Sequence, residues 1–156
     1  MKFMVINGPN MDMLGIREKD KYGENTLENI NKEILAFGNE LGIEISFFQS
    51  NIEGEIINTI HEGYGKIDGF VINPAAYSYS SVAILDALYA VNIPTVEVHM
   101  TNIFNREDFR SKTITASASI GLIAGFGKET YKLAVKSLYD YIKQGVSNWI
   151  ILGWTY

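Results

Sequence analysis

Residues 69–99 read GFVINPAAYSYSSVAILDALYAVNIPTVEVH, and the order of patterns in that stretch decides the fold. Gly69-Phe70-Val71-Ile72 is a continuous apolar run, the pattern of a strand buried on both faces. Ser80 to Val91 follows at helical spacing. Pro94 then opens a second apolar run, Thr95-Val96-Glu97-Val98. Two buried strands joined by a helix form a crossover unit, so the strands are parallel and the helix covers one face of their sheet.

The same alternation extends in both directions. Phe3-Met4-Val5-Ile6 reads as a buried strand stopped by Gly8-Pro9. Thr26 is a helix N-cap with Asn29 at the third helical position, a partial capping box because Glu or Gln is absent there. Ile30, Ile34, Leu35 and Leu41 keep helical spacing as far as a stop at Gly42. Ile43 to Phe47 alternates as a strand, and Ile52 to Glu62 is a helix with Ile56, Ile57 and Ile60 on one face. Ile114 to Ile123 contains a fifth strand of small and β-branched residues, ending at Gly125-Phe126-Gly127. Lys128 to Lys143 is the last helix, with Tyr131, Ala134, Val135, Leu138 and Ile142 inward. The expected fold is α/β: a flavodoxin-like, doubly wound, five-stranded parallel sheet in three α/β/α layers. Ligands of such sheets bind beyond the carboxyl ends of the strands. Three segments reach that edge: Asn7 to Gly23, Asn73 to Ser81 and His99 to Lys112.

Composition narrows the chemistry. A chain of 156 residues, 47% apolar, is expected to fold as one domain over residues 1–156. It contains no cysteine, which removes disulfides and thiolate chemistry and is compatible with a reducing cytoplasm, the expected location. The net charge is −5 and no Lys/Arg-rich run occurs, so no nucleic-acid partner is expected. No segment approaches ~18 consecutive apolar residues, so no membrane partner is expected. From about residue 145 to 156 the chain is oddly apolar for a terminus, with Trp149, Ile150, Ile151, Leu152 and Trp154, and is expected to pack on the domain or on a neighbouring subunit.

Few residues can carry reactivity. His61 sits in a helix beside Glu62 and reads as a solvated histidine. His99 directly follows a strand, with Glu97 two residues back on the same face, a pairing that fixes an imidazole's tautomer. By itself this pair is either structural or reactive. The first loop, Gly8 to Gly23, is long for a strand-to-helix connection and carries Arg17 near Tyr22. A guanidinium nearby favours a phenolate, though a surface Arg and a packing Tyr fit the same residues. Two distant histidines leave no metal set, and no metal is expected. Gly121, Gly125 and Gly127 hint at a phosphate loop, but no Walker Lys-Ser/Thr follows and no GxGxxG stands after the first strand.

Taken together, the loops resemble the type II 3-dehydroquinate dehydratase family. The matching residues are Asn7-Gly8-Pro9-Asn10, Leu14-Gly15, Arg17-Glu18 and Tyr22-Gly23; Gln49 to Gly54; Asn73-Pro74, Ala76-Tyr77, Ser81-Val82-Ala83 and Asp86-Ala87-Leu88; Glu97-Val98-His99, Asn102-Ile103, Arg106-Glu107 and Phe109-Arg110; and Gly121, Gly125-Phe126-Gly127 and Tyr131. They span nearly the whole chain in the family's order. The resemblance implies removal of water from 3-dehydroquinate through an enolate, without cofactor. Tyr22 would be the base, held as phenolate by Arg17, and Asn10 would position a water at the enolate oxygen. His99 would protonate the leaving hydroxyl, oriented by Glu97. Asn73 and the backbone at Met100-Thr101 would hold the substrate carboxylate, and Arg110 would contact ring hydroxyls beside Arg106. Asp86 would reach the site of a neighbouring subunit in a dodecamer built from trimers.

The chain departs from the family's pattern at several positions. Tyr79 stands where the family usually has His, a position that hydrogen-bonds a substrate hydroxyl. Ala75 replaces a usual Gly, Leu85 an Arg, Asp12 an Asn and Thr101 a Ser. The Tyr79 and Leu85 changes motivate an alternative, a catalytically weak or inactive relative that binds a small anionic ligand.

Overall fold

The computed structural model describes residues 1–16 and 25–145. Arg17, Tyr22 and the apolar extension past Gly145 lie outside the described residues. Five strands form one parallel sheet: β1 (Lys2–Asn7), β2 (Glu44–Gln49), β3 (Gly69–Asn73), β4 (Thr95–His99) and β5 (Gly121–Ala124). Their order is β2-β1-β3-β4-β5. Four helices connect or follow them: α1 (Leu27–Leu41), α2 (Glu53–Glu62), α3 (Val82–Val91) and α4 (Glu129–Gln144). This is the expected flavodoxin-like sheet.

Alternation along the strands divides the core in two. Phe3, Val5, Val71, Val96 and Val98 pack with Ile30 and Ile34 of α1 and with Tyr131, Ala134, Val135 and Leu138 of α4. Ile6, Phe70 and Ile72 face the other way, onto Ile56 and Ile60 of α2 and Ile84, Ala87 and Leu88 of α3. Each fully buried aliphatic side chain contributes roughly 1.5–3 kcal/mol, so both faces of the central strands are anchored. Consecutive residues of one strand therefore present side chains to opposite layers.

Local signals set the helix ends. Thr26 accepts a hydrogen bond from the Asn29 N–H, and Gly42 ends α1 at φ 68°, a left-handed geometry that glycine adopts without a Cβ penalty. Ser81 caps α3 by accepting from the Ile84 N–H at 2.8 Å. The helix expected from Ser80 therefore begins at Val82, after a 3-10 turn over Ala75–Tyr79.

The region expected to contain the fifth strand is mostly irregular. Only Gly121–Ala124 pairs with β4, and Thr115–Ala118 forms a 3-10 turn. The Ile114 N–H donates to the Ser78 carbonyl at 2.8 Å, and Thr115 turns inward to a buried carboxylate. Both contacts hold the chain away from an extended path beside β4.

Candidate active site

The strand order reverses between β1 and β3, and a crevice opens there beyond their carboxyl ends. Asn7 and Asn73 are register partners at those ends. The Gly8 N–H continues the ladder onto the Asn73 carbonyl at 2.8 Å. A Cβ at Gly8 would lie 2.4 Å from the Pro74 oxygen, so this close approach needs glycine. The crevice is a cavity of about 230 Å³ lined by residues of three loops and the end of β4. Asn10, Asn73, Tyr79, His99, Met100, Thr101, Arg106 and Arg110 all line it, which brings together eight of the residues singled out in the sequence.

His99 ends β4, 5% exposed, with its Nε2 at 2.8 Å from Glu97 Oε1. Glu97 is fully buried beneath it. A carboxylate in that position needs donors for its remaining lone pairs. Ser78 donates to Oε1 at 2.7 Å, and Thr115 donates to Oε2 at 2.6 Å. The sequence pointed to the Glu97–His99 pair through its period-two spacing. It did not point to Ser78 or Thr115, which come from distant turns.

A second buried network holds Asn73. Its Nδ2 donates to the Tyr131 hydroxyl at 2.9 Å, and its Oδ1 accepts from the Ala75 N–H at 3.2 Å. Tyr131 in turn donates to Asn7 Oδ1 at 2.6 Å. Burial pushes the Tyr131 phenol well above its ordinary range, against a smaller opposing effect of the Asn73 hydrogen bond. Ala75 itself stands at φ 52°, the left-handed region, which explains physically why glycine suits that position.

The outer wall is aromatic and cationic. The Tyr79 ring stacks near His99 with centroids 6.2 Å apart and planes 19° from parallel. Phe109 meets Tyr79 edge-on, and the Arg110 guanidinium lies 5.7 Å from the Tyr79 centroid. Burial raises the Tyr79 phenol pKa, and Arg110 opposes that rise, so Tyr79 is a neutral phenol at neutral pH. Arg110 Nε donates to Glu107 at 2.7 Å, and Arg106 donates to the Thr101 hydroxyl at 3.4 Å. Two guanidinium groups on one rim suit an anionic ligand.

The Gln49 to Gly54 segment buttresses the first loop. Gln49 Nε2 donates to the Gly8 carbonyl at 3.3 Å. Asn51 accepts from the Asn10 N–H at 2.7 Å and donates to Asp12 at 3.2 Å. Asn10 sits at φ 64°, a conformation Asn tolerates better than most residues. Asp86 is exposed on α3 and does not line this cavity. Arg17 and Tyr22 lie outside the described residues.

The family model for dehydroquinase class II matches residues 1–139. The chain belongs to this family. The 3-dehydroquinate dehydratase of Clostridium perfringens is 56% identical over 144 residues, which cover 92% of this chain and 99% of that protein. The 3-dehydroquinate dehydratase of Carboxydothermus hydrogenoformans is 51% identical over 144 residues, 92% of this chain and 94% of that protein. The crystal structure of type II dehydroquinase from Butyrivibrio crossotus superposes with a TM-score of 0.87 at 44% identity, covering 89% of this chain and 97% of that one. For a class II dehydroquinase the cavity stands where the fold predicts it, at the reversal in strand order. The family match reaches into α4, whose buried Tyr131 holds Asn73, a residue of the cavity lining.

Proposed function

We propose that this chain is a 3-dehydroquinate dehydratase that works through an enolate, with Tyr22 as base and His99 as acid. Membership of the class II dehydroquinase family and relatives named 3-dehydroquinate dehydratase at 51–56% identity support the reaction. The observation that carries the acid assignment is the buried Glu97–His99 pair opening on a cavity rimmed by Arg106 and Arg110.

The chemistry needs a base for the proton on the carbon beside the ketone and an acid for a hydroxide that leaves poorly on its own. Tyr22, held as phenolate by Arg17, removes the proton and leaves an enolate. Asn10 positions a water at the enolate oxygen. The enolate then expels the hydroxyl, which takes a proton from His99 and departs as water. Asn73 and the backbone at Met100 and Thr101 hold the substrate carboxylate, while Arg110 contacts ring hydroxyls and Arg106 completes that wall. Tyr79 donates or accepts at the hydroxyl nearest its phenol. Asp86 reaches the site of a neighbouring subunit, within a dodecamer built from trimers in the cytoplasm. No helix among the described residues is long and apolar enough to cross a membrane.

The test is absorbance of the conjugated enone formed from 3-dehydroquinate. Each positioned acid or base contributes about 10²–10⁴-fold, so Tyr22→Phe and His99→Ala are each expected to lower kcat by that factor. A folded wild type without turnover would overturn the dehydratase reading. The stacking of Tyr79 on His99 favours a second reading, in which the phenol fills part of the substrate's volume. Turnover that appears only in Tyr79→His would select it.

A further inference from the structure

The carboxylate behind His99 is gripped by two hydroxyls from turns far apart in the chain. Ser78, in the turn after β3, donates to Oε1 at 2.7 Å, and its oxygen is also 3.5 Å from His99 Nε2. Thr115, in the turn before β5, donates to Oε2 at 2.6 Å and stands 3.5 Å from the Ser78 oxygen. Ser78, Thr115 and Glu97 are all fully buried. The Ile114 N–H to Ser78 carbonyl bond ties the two turns to each other.

We infer that Thr115 and Ser78 are positioning residues that act through Glu97 and set which imidazole nitrogen of His99 faces the substrate. The inference rests on His99 being the acid. Each hydroxyl has one proton, and both protons point at the carboxylate, one on each oxygen. The His99 N–H at Nε2 is the third donor. With both hydroxyls in place the carboxylate cannot turn about its last bond without losing a charge-assisted hydrogen bond. A fixed, accepting Oε1 keeps the proton on Nε2 and leaves Nδ1 as the nitrogen that exchanges a proton with substrate. Removal of Thr115's hydroxyl frees Oε2, and the carboxylate and ring can then rotate together into unproductive orientations.

Thr115→Val preserves shape and removes the donor. Its expected effect is a fall in kcat of about tenfold or more with KM within about twofold, the pattern of an interaction felt in the transition state. Thr115→Ser restores the hydroxyl and is expected to recover kcat to within about threefold of wild type. The second readout is the nitrogen-15 spectrum of the imidazoles, which is independent of turnover. The chain has two histidines, so His61→Gln assigns the His99 signals. With the imidazole in its neutral form, a single Nε2–H tautomer in the wild type that becomes a mixture in Thr115→Val supports the role. If Thr115→Val does not fold, Ser78→Ala tests the other oxygen with the same readouts. Wild-type kcat and an unchanged His99 spectrum in the folded variants would overturn the inference. A wild type without turnover would remove the dehydratase reading, and the spectrum alone would then decide this one.

Discussion

The wall of the cavity built from β3 and β4 and the wall built from residues 100–112 hold their polar groups in different ways. Behind the first, Glu97, Ser78 and Thr115 form one buried network and Asn73 and Tyr131 another, bonded across sequence separations of up to 58 residues. On the second, Arg106 and Arg110 lean on Glu107, whose side chain is 56% exposed. Arg110 holds the Glu107 carboxyl below its usual range, but water screens such a pair and it contributes little stability. The difference separates two tasks. Under the proposed mechanism, the imidazole has to be fixed before substrate arrives, whereas cations that bind an anion can adjust to it.

Substitutions on the two walls should therefore diverge, and Glu97→Leu should show the largest effect. It leaves the Ser78 and Thr115 hydroxyls and His99 Nε2 without their acceptor, at an expected cost of about 3 kcal/mol or more in urea unfolding. A cost under about 1 kcal/mol would mean that water reaches this wall and would break the contrast.

Tyr131→Phe comes next. It leaves Asn7 Oδ1 without its donor and Asn73 Nδ2 with only the Met11 sulfur at 3.7 Å, with an expected loss of about 1–3 kcal/mol. It also has a pH signature. Burial raises the Tyr131 pKa above its ordinary 10.0, so the phenol's contribution to stability is complete below pH 10.0 and is lost as pH rises beyond it. The alkaline decline of thermal stability should be shallower in Tyr131→Phe, and an identical decline would show that Tyr131 is not sealed.

Ala75→Gly tests the strain in the turn of the same wall. Relief of a left-handed Ala gains about 1 kcal/mol, and the freer unfolded chain offsets roughly 0.4–1 kcal/mol of it. The expected result is a small rise in melting temperature or none, and a clear fall would show that the turn is unstrained. Arg110→Gln, on the outer wall, should change stability least, within about 0.5 kcal/mol, while raising KM for an anionic substrate. A stability loss comparable to that of Tyr131→Phe would make the two walls alike.

Much of this arrangement was legible in the chain. The apolar runs gave the strands, because a strand buried on both faces has to be apolar throughout. Thr26 and Gly42 marked the ends of α1 by local hydrogen bonding that needs no distant partner. The Glu97–His99 pair followed from period-two alternation within one strand. The fifth strand lies within the expected Ile114 to Ile123 segment but starts only at Gly121, and nothing local reveals that Thr115 turns inward to a buried carboxylate calling for a donor.

The sequence by itself determined the layer architecture, the edge of the sheet where the cavity opens and the identity of the paired imidazole and carboxylate. These depend on periodicity and on neighbours within a few residues. Tertiary structure alone decided that Ser78 and Thr115 converge on Glu97, that Tyr131 locks Asn73, and that Tyr79 stacks on His99 beneath Arg110. The physical reason is that a buried polar group must find its partner wherever packing places one, and that place has no fixed separation along the chain.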